Sequence, residues 1–268
     1  MDCRTLPCSL DFVSGGGFTL SSEQKAALQT SMVTLAKDYK FKRVLFWGKL
    51  LGVRADYYIA QGVTEDEMRD KTTLYSFNCM DWYLLPVPTE EMIAKVSAAS
   101  SGHFTGDPSH IYEPAERNLQ EEGEEITEEK RLAATVFTID EEASVVPRGA
   151  FIKSIHGTVQ INRCFEGLSL SEAGRLKNYL HFTESKNLEK KSILEMAELD
   201  PSIDFLDPLS EDVPKGSWSL QFERGDAVCV IRSLVWLGLT FYHVPLTSQH
   251  GYVYVGNGLK NLYLPFML

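Results

Sequence analysis

The last two β-prone runs of the chain, Leu239 to Val244 and Tyr252 to Val255, carry apolar or aromatic groups on both faces, with Tyr252 and Tyr254 on one side and Val253 and Val255 on the other. Side chains alternate between the two faces of a strand, so a sheet with one wet face shows a regular exchange of apolar and polar residues. These strands lack it. The sheet that contains them needs two covers, and either the chain's own helices supply the second or a partner does.

The rest of the C-terminal third is also β-rich. Ser217 to Phe222 places Trp218, Leu220 and Phe222 on one face, and Arg224-Gly225-Asp226 leads into the run Ala227 to Val235. Between two such runs this tripeptide reads as a hairpin turn and not as an adhesion motif. The most apolar stretch, Val228 to Val244, is 17 residues long and interrupted by Arg232 and His243. A membrane-spanning helix needs about 20 apolar residues, so strands are the better reading.

Helices are announced earlier. Ser21 and Gln24 form a capping-box start, and Leu28, Met32, Leu35 and Tyr39 then recur on one helical face. Val44 to Trp47 and Asp56 to Ile59, punctuated by Gly48, Gly52 and Gly62, predict a hairpin; Thr73 to Cys79 predicts a further strand, closed by Pro86 and Pro88. A short helix is expected from Thr89. Leu132, Val136, Ile139 and Ala143 predict another, whose start near Thr127 favours the preceding glutamates. Val145-Val146, Ala150 to Ile155 and Thr158 to Arg163 read as strands. Ser169 and Glu172 open a helix expected to reach about Leu180, and residues 187 to 198 suit one more. No internal repeat of solenoid or propeller length is present.

The class that follows is α+β, with mainly antiparallel strands, several helices and a long acidic, mobile insertion. The expected divisions are an N-terminal helix and hairpin region at 1–96, an acidic linker or insertion at 97–126 and a C-terminal α+β region at 127–268, packed as one unit. With 268 residues, 44% of them hydrophobic, the chain can bury an ordinary globular core. Its net charge of −11 opposes binding to nucleic acid or an anionic membrane surface. Residues 107–142 concentrate twelve acids against three bases, which makes either a solvated face or a surface for a basic partner.

Chemistry-bearing motifs are few. Gly15-Gly16-Gly17 lacks the Lys-Ser/Thr of a phosphate loop and reads as a leader to the first helix. His103, Asp107 and His110 lie close together, but Pro108 and the glycines around them offer no rigid element to orient metal ligands. The five cysteines, Cys3, Cys8, Cys79, Cys164 and Cys229, show neither a zinc spacing nor a nucleophile signature and read as reduced structural thiols. Pro7 and Cys8 break what a signal peptide would keep apolar, and no Asn-x-Ser/Thr acceptor occurs, so a cytosolic setting is expected. No catalytic residue, cofactor or metal site is expected. The candidate partner interface is the aromatic set Trp236, Tyr242, Tyr252 and Tyr254 of the C-terminal sheet.

Longer strings point to a family. Val44-Leu45-Phe46-Trp47-Gly48-Lys49-Leu50-Leu51-Gly52, continued by Asp56-Tyr57-Tyr58-Ile59-Ala60-Gln61-Gly62, resembles the hairpin signature of the radial spoke head family. Val146 to Ala150, Phe165 to Ser169, Lys215 to Ser219, Arg232 to Trp236 and Gly238 to His243 match it further. Leu237 departs from it, standing where the family usually has proline, and the region 100–130 matches poorly. The length, without a long acidic tail, fits a smaller member better than the larger paralogues, proteins 4 and 6. The resemblance implies a non-catalytic structural subunit of the spoke head in the ciliary or flagellar axoneme. It further implies assembly with radial spoke head proteins 4 and 6 and other spoke subunits, and contact with the central-pair apparatus through the assembled head. There the head passes signals to dynein in cilium movement. A generic cytosolic adaptor and an enzyme with an unrecognised site are the competing readings; a deep pocket with converging titratable groups would favour the enzyme.

Overall fold

A computed structural model of the chain describes residues 1–17, 20–99, 102–112, 126–188, 191–197 and 199–267. It begins with helix α1 (Leu6–Val13) and the capped helix α2 (Ser22–Asp38), followed by strands β1 (Arg43–Leu50), β2 (Tyr57–Val63), β3 (Lys71–Ser76) and the two-residue β4 (Tyr83–Leu84). Helix α3 (Glu90–Ala99) leads to the short pair β5 (Ile111–Tyr112) and β6 (Ile126–Thr127), then helix α4 (Glu128–Ala143). Next come β7 (Val145–Pro147), the hairpin β8 (Phe151–Lys153) and β9 (Val159–Ile161), helix α5 (Leu170–Ala173), β10 (Tyr179–His181) and helix α6 (Ile193–Ala197). The meander β11 (Trp218–Glu223), β12 (Val228–Ser233), β13 (Leu239–His243) and β14 (His250–Gly256) completes the order.

Eight strands form one sheet in the order β11-β12-β13-β14-β1-β2-β3-β4. Every pair is antiparallel except β14 with β1, where the two meanders, one from each end of the chain, meet in parallel. The fold is therefore α+β with mainly antiparallel strands, as the sequence predicts.

Both faces of this sheet are covered by the chain itself. On one side α1 and α2 deliver Leu6, Leu10, Val13, Leu28, Met32 and Leu35 onto Val44, Phe46, Val230, Tyr242 and Val253. On the other, α4 delivers Leu132, Val136, Ile139 and Ala143 onto Trp47, Leu50, Ile231, Phe241 and Tyr254. The helical stripe read for α2 holds for Leu28, Met32 and Leu35, while Tyr39 lies at the C-cap and is exposed.

A bulge in β1 decides which residue faces which helix. The register against β2 slips between Phe46 and Gly48, and Gly48 adopts φ +152°. One extra residue inverts face parity, so Leu50 joins Trp47 on the α4 side instead of Phe46 on the α2 side. A side chain at Gly48 would collide with the carbonyl oxygen of Tyr254 on β14, so glycine permits both the bulge and the close parallel contact.

Several expectations need correction. Helix α1 is absent from the sequence reading; Pro7 in its first turn suits a helix start, and its spacing of Leu6, Leu10 and Val13 is a buried face. The capping box at Ser169 and Glu172 forms, but α5 ends at Ala173, because Gly174 caps it and the chain passes through a tight turn into β10, which pairs with β7. Of residues 187–198, only Ile193–Ala197 is a described helix. Residues 113–125, the centre of the expected acidic insertion, lie outside the described residues. Its flanks are firmly held: Phe104 is fully buried, and the Glu128 carboxylate accepts from the backbone N–H groups of Thr105 (2.8 Å), Gly106 (2.7 Å) and Asp107 (3.2 Å).

Candidate interaction surface

Of the four aromatic residues expected at a partner interface, Tyr242, Tyr252 and Tyr254 lie on strands of the C-terminal sheet and Trp236 lies in the connection between β12 and β13; the fold turns Tyr242 and Tyr254 fully inward. Tyr242 is buried under α1, donating through its hydroxyl to Ser9 Oγ at 2.7 Å and packing on Phe12 with ring centroids 5.3 Å apart. Tyr254 is fully buried on the other face beside Trp47, and its oxygen accepts from the Gly258 N–H at 2.9 Å; burial pushes its phenol up to about 12. Tyr252 is half-buried and donates to Asp140 Oδ1 at 3.0 Å; burial, then the nearby carboxylate, raises its pKa well above the usual value. In this fold a partner reaches Tyr242 or Tyr254 only if the covering elements leave. Sequence alternation identified the strands correctly but cannot say which molecule supplies the cover.

Trp236 differs. Its ring is nearly buried, yet it borders a groove of about 390 Å³ between the end of α4, the β10 region and the C-terminal segment. The indole N–H donates to Glu142 Oε2 at 2.9 Å, and Lys260 lies over the ring, 5.9 Å from its centroid, while its Nζ binds Glu142 at 2.7 Å. Deeper in the groove Asp212 accepts from the Trp218 indole at 2.6 Å and lies 2.8 Å from His181 Nε2. The other ring nitrogen of His181 is buried with no partner among the described residues.

The rim of this groove is apolar and open. Val213 and Leu262 line it at 88% and 71% exposure, and Tyr263, Phe266 and Met267 continue along the C-terminal segment, all largely exposed. Leu264, between them, is buried and anchors the segment. Apolar side chains presented together in this way mark a contact surface more often than single exposed ones do. Nothing in the alternation of the strands foretold it, because the groove is assembled from segments far apart in the chain.

The remaining candidates are accounted for locally. Asp107 accepts from the Ser109 N–H and His110 packs edge-on against Tyr112. Among the described residues no three His, Cys, Asp or Glu side chains are placed to share a metal ion. All five cysteines are free; Cys3, Cys79 and Cys229 are buried, and desolvation pushes the Cys79 thiol up to about 12, away from the thiolate a nucleophile needs. Cys8 and Cys164 are exposed. No described helix is long and apolar enough to cross a membrane.

The sequence profile of the family described as "Radial spokehead-like protein" matches residues 6–148. Full-length similarity extends to proteins named "Radial spoke head protein 9 homolog". The one from Danio rerio is 60% identical, that from Bos taurus 53% and that from Homo sapiens 52%, each aligned over 277 positions that cover 100% of both chains.

Proposed function

The chain belongs to the radial spokehead-like protein family, and from that premise we propose that it is a non-catalytic subunit of the radial spoke head in the ciliary axoneme. In this role it assembles with other spoke subunits, radial spoke head proteins 4 and 6 among them. The assembled head meets the central-pair apparatus and relays its signals to dynein during cilium movement. The observation that carries this reading is full-length identity of 60% to a relative of that name, with both chains covered completely. Similarity of that extent preserves the fold.

The chemistry of the interior is in keeping with a load-bearing role. Asp140 ties Trp47, Gln61 and Tyr252 to α4, and Glu128 ties the 104–107 loop to the start of the same helix. Such networks hold a buried polar group only when every member is satisfied, and they fix one arrangement of the elements. A subunit that passes mechanical force needs that rigidity.

The test is removal of the chain from ciliated cells, followed by tomography of their axonemes and restoration with a tagged copy. Missing or shortened spoke heads, regained with the tagged chain and co-purified with other spoke subunits, are expected. Intact spoke heads and normal beating after complete removal sink the reading.

A further inference from the structure

We infer that the groove beside Trp236 is a docking site for a cationic, apolar segment of a partner protein, anchored by arginine. The inference rests on the reading of the chain as an assembly subunit and names the kind of partner segment one of its faces fits. Two features of the groove select this occupant. Five carboxylates line it, Glu142 and Asp212 among them, against two lysines, Lys186 and Lys260. Its mouth carries the apolar pair Val213 and Leu262, and the adjoining C-terminal segment exposes Tyr263, Phe266 and Met267. An acidic partner would be repelled at the wall, and a purely polar one would leave the apolar rim in water.

Arginine suits the interior better than lysine does. The Trp236 and Trp218 indoles, both buried, already donate their N–H groups to Glu142 and Asp212, so what is left to an incoming group is the Trp236 face that Lys260 covers and the lone pairs of the carboxylates. A guanidinium uses both, stacking on a ring while forking onto a carboxylate. Lys260 already occupies a version of this position, bound to Glu142 and lying over Trp236. The site therefore accepts a cation, and an incoming arginine takes its place while Lys260, 40% exposed at its side chain, turns to solvent. The volume of about 390 Å³ accommodates a few side chains, the scale of a linear segment and not of a domain.

The purified full chain is titrated against a short fluorescein-labelled peptide that alternates arginine with leucine, and against its counterpart with glutamate for arginine, by fluorescence anisotropy. The arginine peptide is expected to bind saturably and at least about tenfold more tightly, which corresponds to about 1.4 kcal/mol. Glu141→Lys, on the half-buried wall, and Leu262→Asp, on the rim, are each expected to weaken it by a similar factor while the thermal unfolding midpoint stays unchanged. Equal binding of the two peptides, or variants that bind like the parent, overturns the proposal. So does a homodimer in light scattering that Leu262→Asp dissolves, since the occupant is then a second copy. Co-purification of the parent chain with spoke subunits is scored separately: its failure removes the spoke head reading, whereas peptide binding judges the groove alone.

Discussion

The indole Nε1 of Trp47 donates to Asp140 Oδ1 across 2.7 Å, joining the bulged central strand to a helix 93 residues further along the chain. Gln61 Nε2 on β2 reaches the second oxygen of the same carboxylate at 2.5 Å, and the Tyr252 hydroxyl on β14 shares the first. One side chain thus fastens α4 to three strands of the sheet, including the two that meet in parallel. Asp140→Asn keeps the size and one acceptor oxygen but turns an amide N–H₂ toward the donors that faced the other oxygen. A loss of about 2–3 kcal/mol is expected in urea unfolding, with Tyr252→Phe costing about 1 kcal/mol. An Asn variant as stable as the parent would mean that the carboxylate is not the fastener.

Gly48 separates sterics from backbone preference. Alanine there must hold φ +152° and displace the backbone of Tyr254, whereas at Gly225, φ +65° in the β11–β12 turn, an added methyl group meets nothing within 4 Å. Gly225→Ala is expected to cost about 1–2 kcal/mol, the ordinary penalty of a left-handed position. Gly48→Ala is expected to cost clearly more or to prevent soluble expression. Similar unfolding midpoints for the two variants contradict the bulge's role in joining the meanders.

The carboxylate of Glu128 is fully buried, which by itself raises its pKa, but hydrogen bonds from Tyr112, Thr105 and Tyr57 outweigh burial and hold it below the ordinary value of 4.5. A lowered folded-state pKa stabilises the protein above the unfolded value, and that stability is lost as pH falls below about 4.5 toward the folded value. Glu128→Gln should lower stability at neutral pH and flatten the acid limb of a stability-against-pH curve. An unchanged acid limb in the variant would falsify this assignment.

His243 works in a neighbouring window. Burial lowers its pKa from 6.5 to about 4, and the neutral ring accepts from the Leu168 N–H at Nε2 while Nδ1 faces the Gln249 carbonyl. Between those two values the unfolded chain binds more protons than the folded one, so stability rises with pH from about 4 to 6.5 and levels off above. The contribution is on the order of 3 kcal/mol across the window. His243→Gln should remove that part of the slope, as chemical denaturation at a series of pH values would reveal.

Tyr242→Phe removes only the hydroxyl bound to Ser9 and should cost about 1 kcal/mol, whereas Tyr242→Ala opens a cavity beneath α1 and should cost about 3–5 kcal/mol. Loss of partner binding in the alanine variant alone therefore reports a damaged core. If both variants keep full stability yet lose a partner, the residue is at an interface after all and α1 leaves it on binding.

Much of this was legible in the chain. The capping box at Ser21, the α4 stripe of Leu132, Val136, Ile139 and Ala143, the turn at Arg224-Gly225-Asp226 and the doubly apolar β14 all formed where local pattern put them. Each depends on neighbours a few residues apart, and periodicity reports such relations directly. The same local rules misjudged the helix after Ser169, because they see the cap but not the β7 strand that claims Tyr179 to His181.

By itself, then, the sequence determined the class, the positions of most elements and the need for a sheet covered on both sides. Only the tertiary structure decided what covers it. The inward turn of Tyr242 and Tyr254, the Asp140 fastening and the groove beside Trp236 each join residues from distant parts of the chain. Periodicity fixes which way a side chain faces along its own element. What stands opposite it depends on sheet order and on a one-residue bulge, which no local pattern encodes.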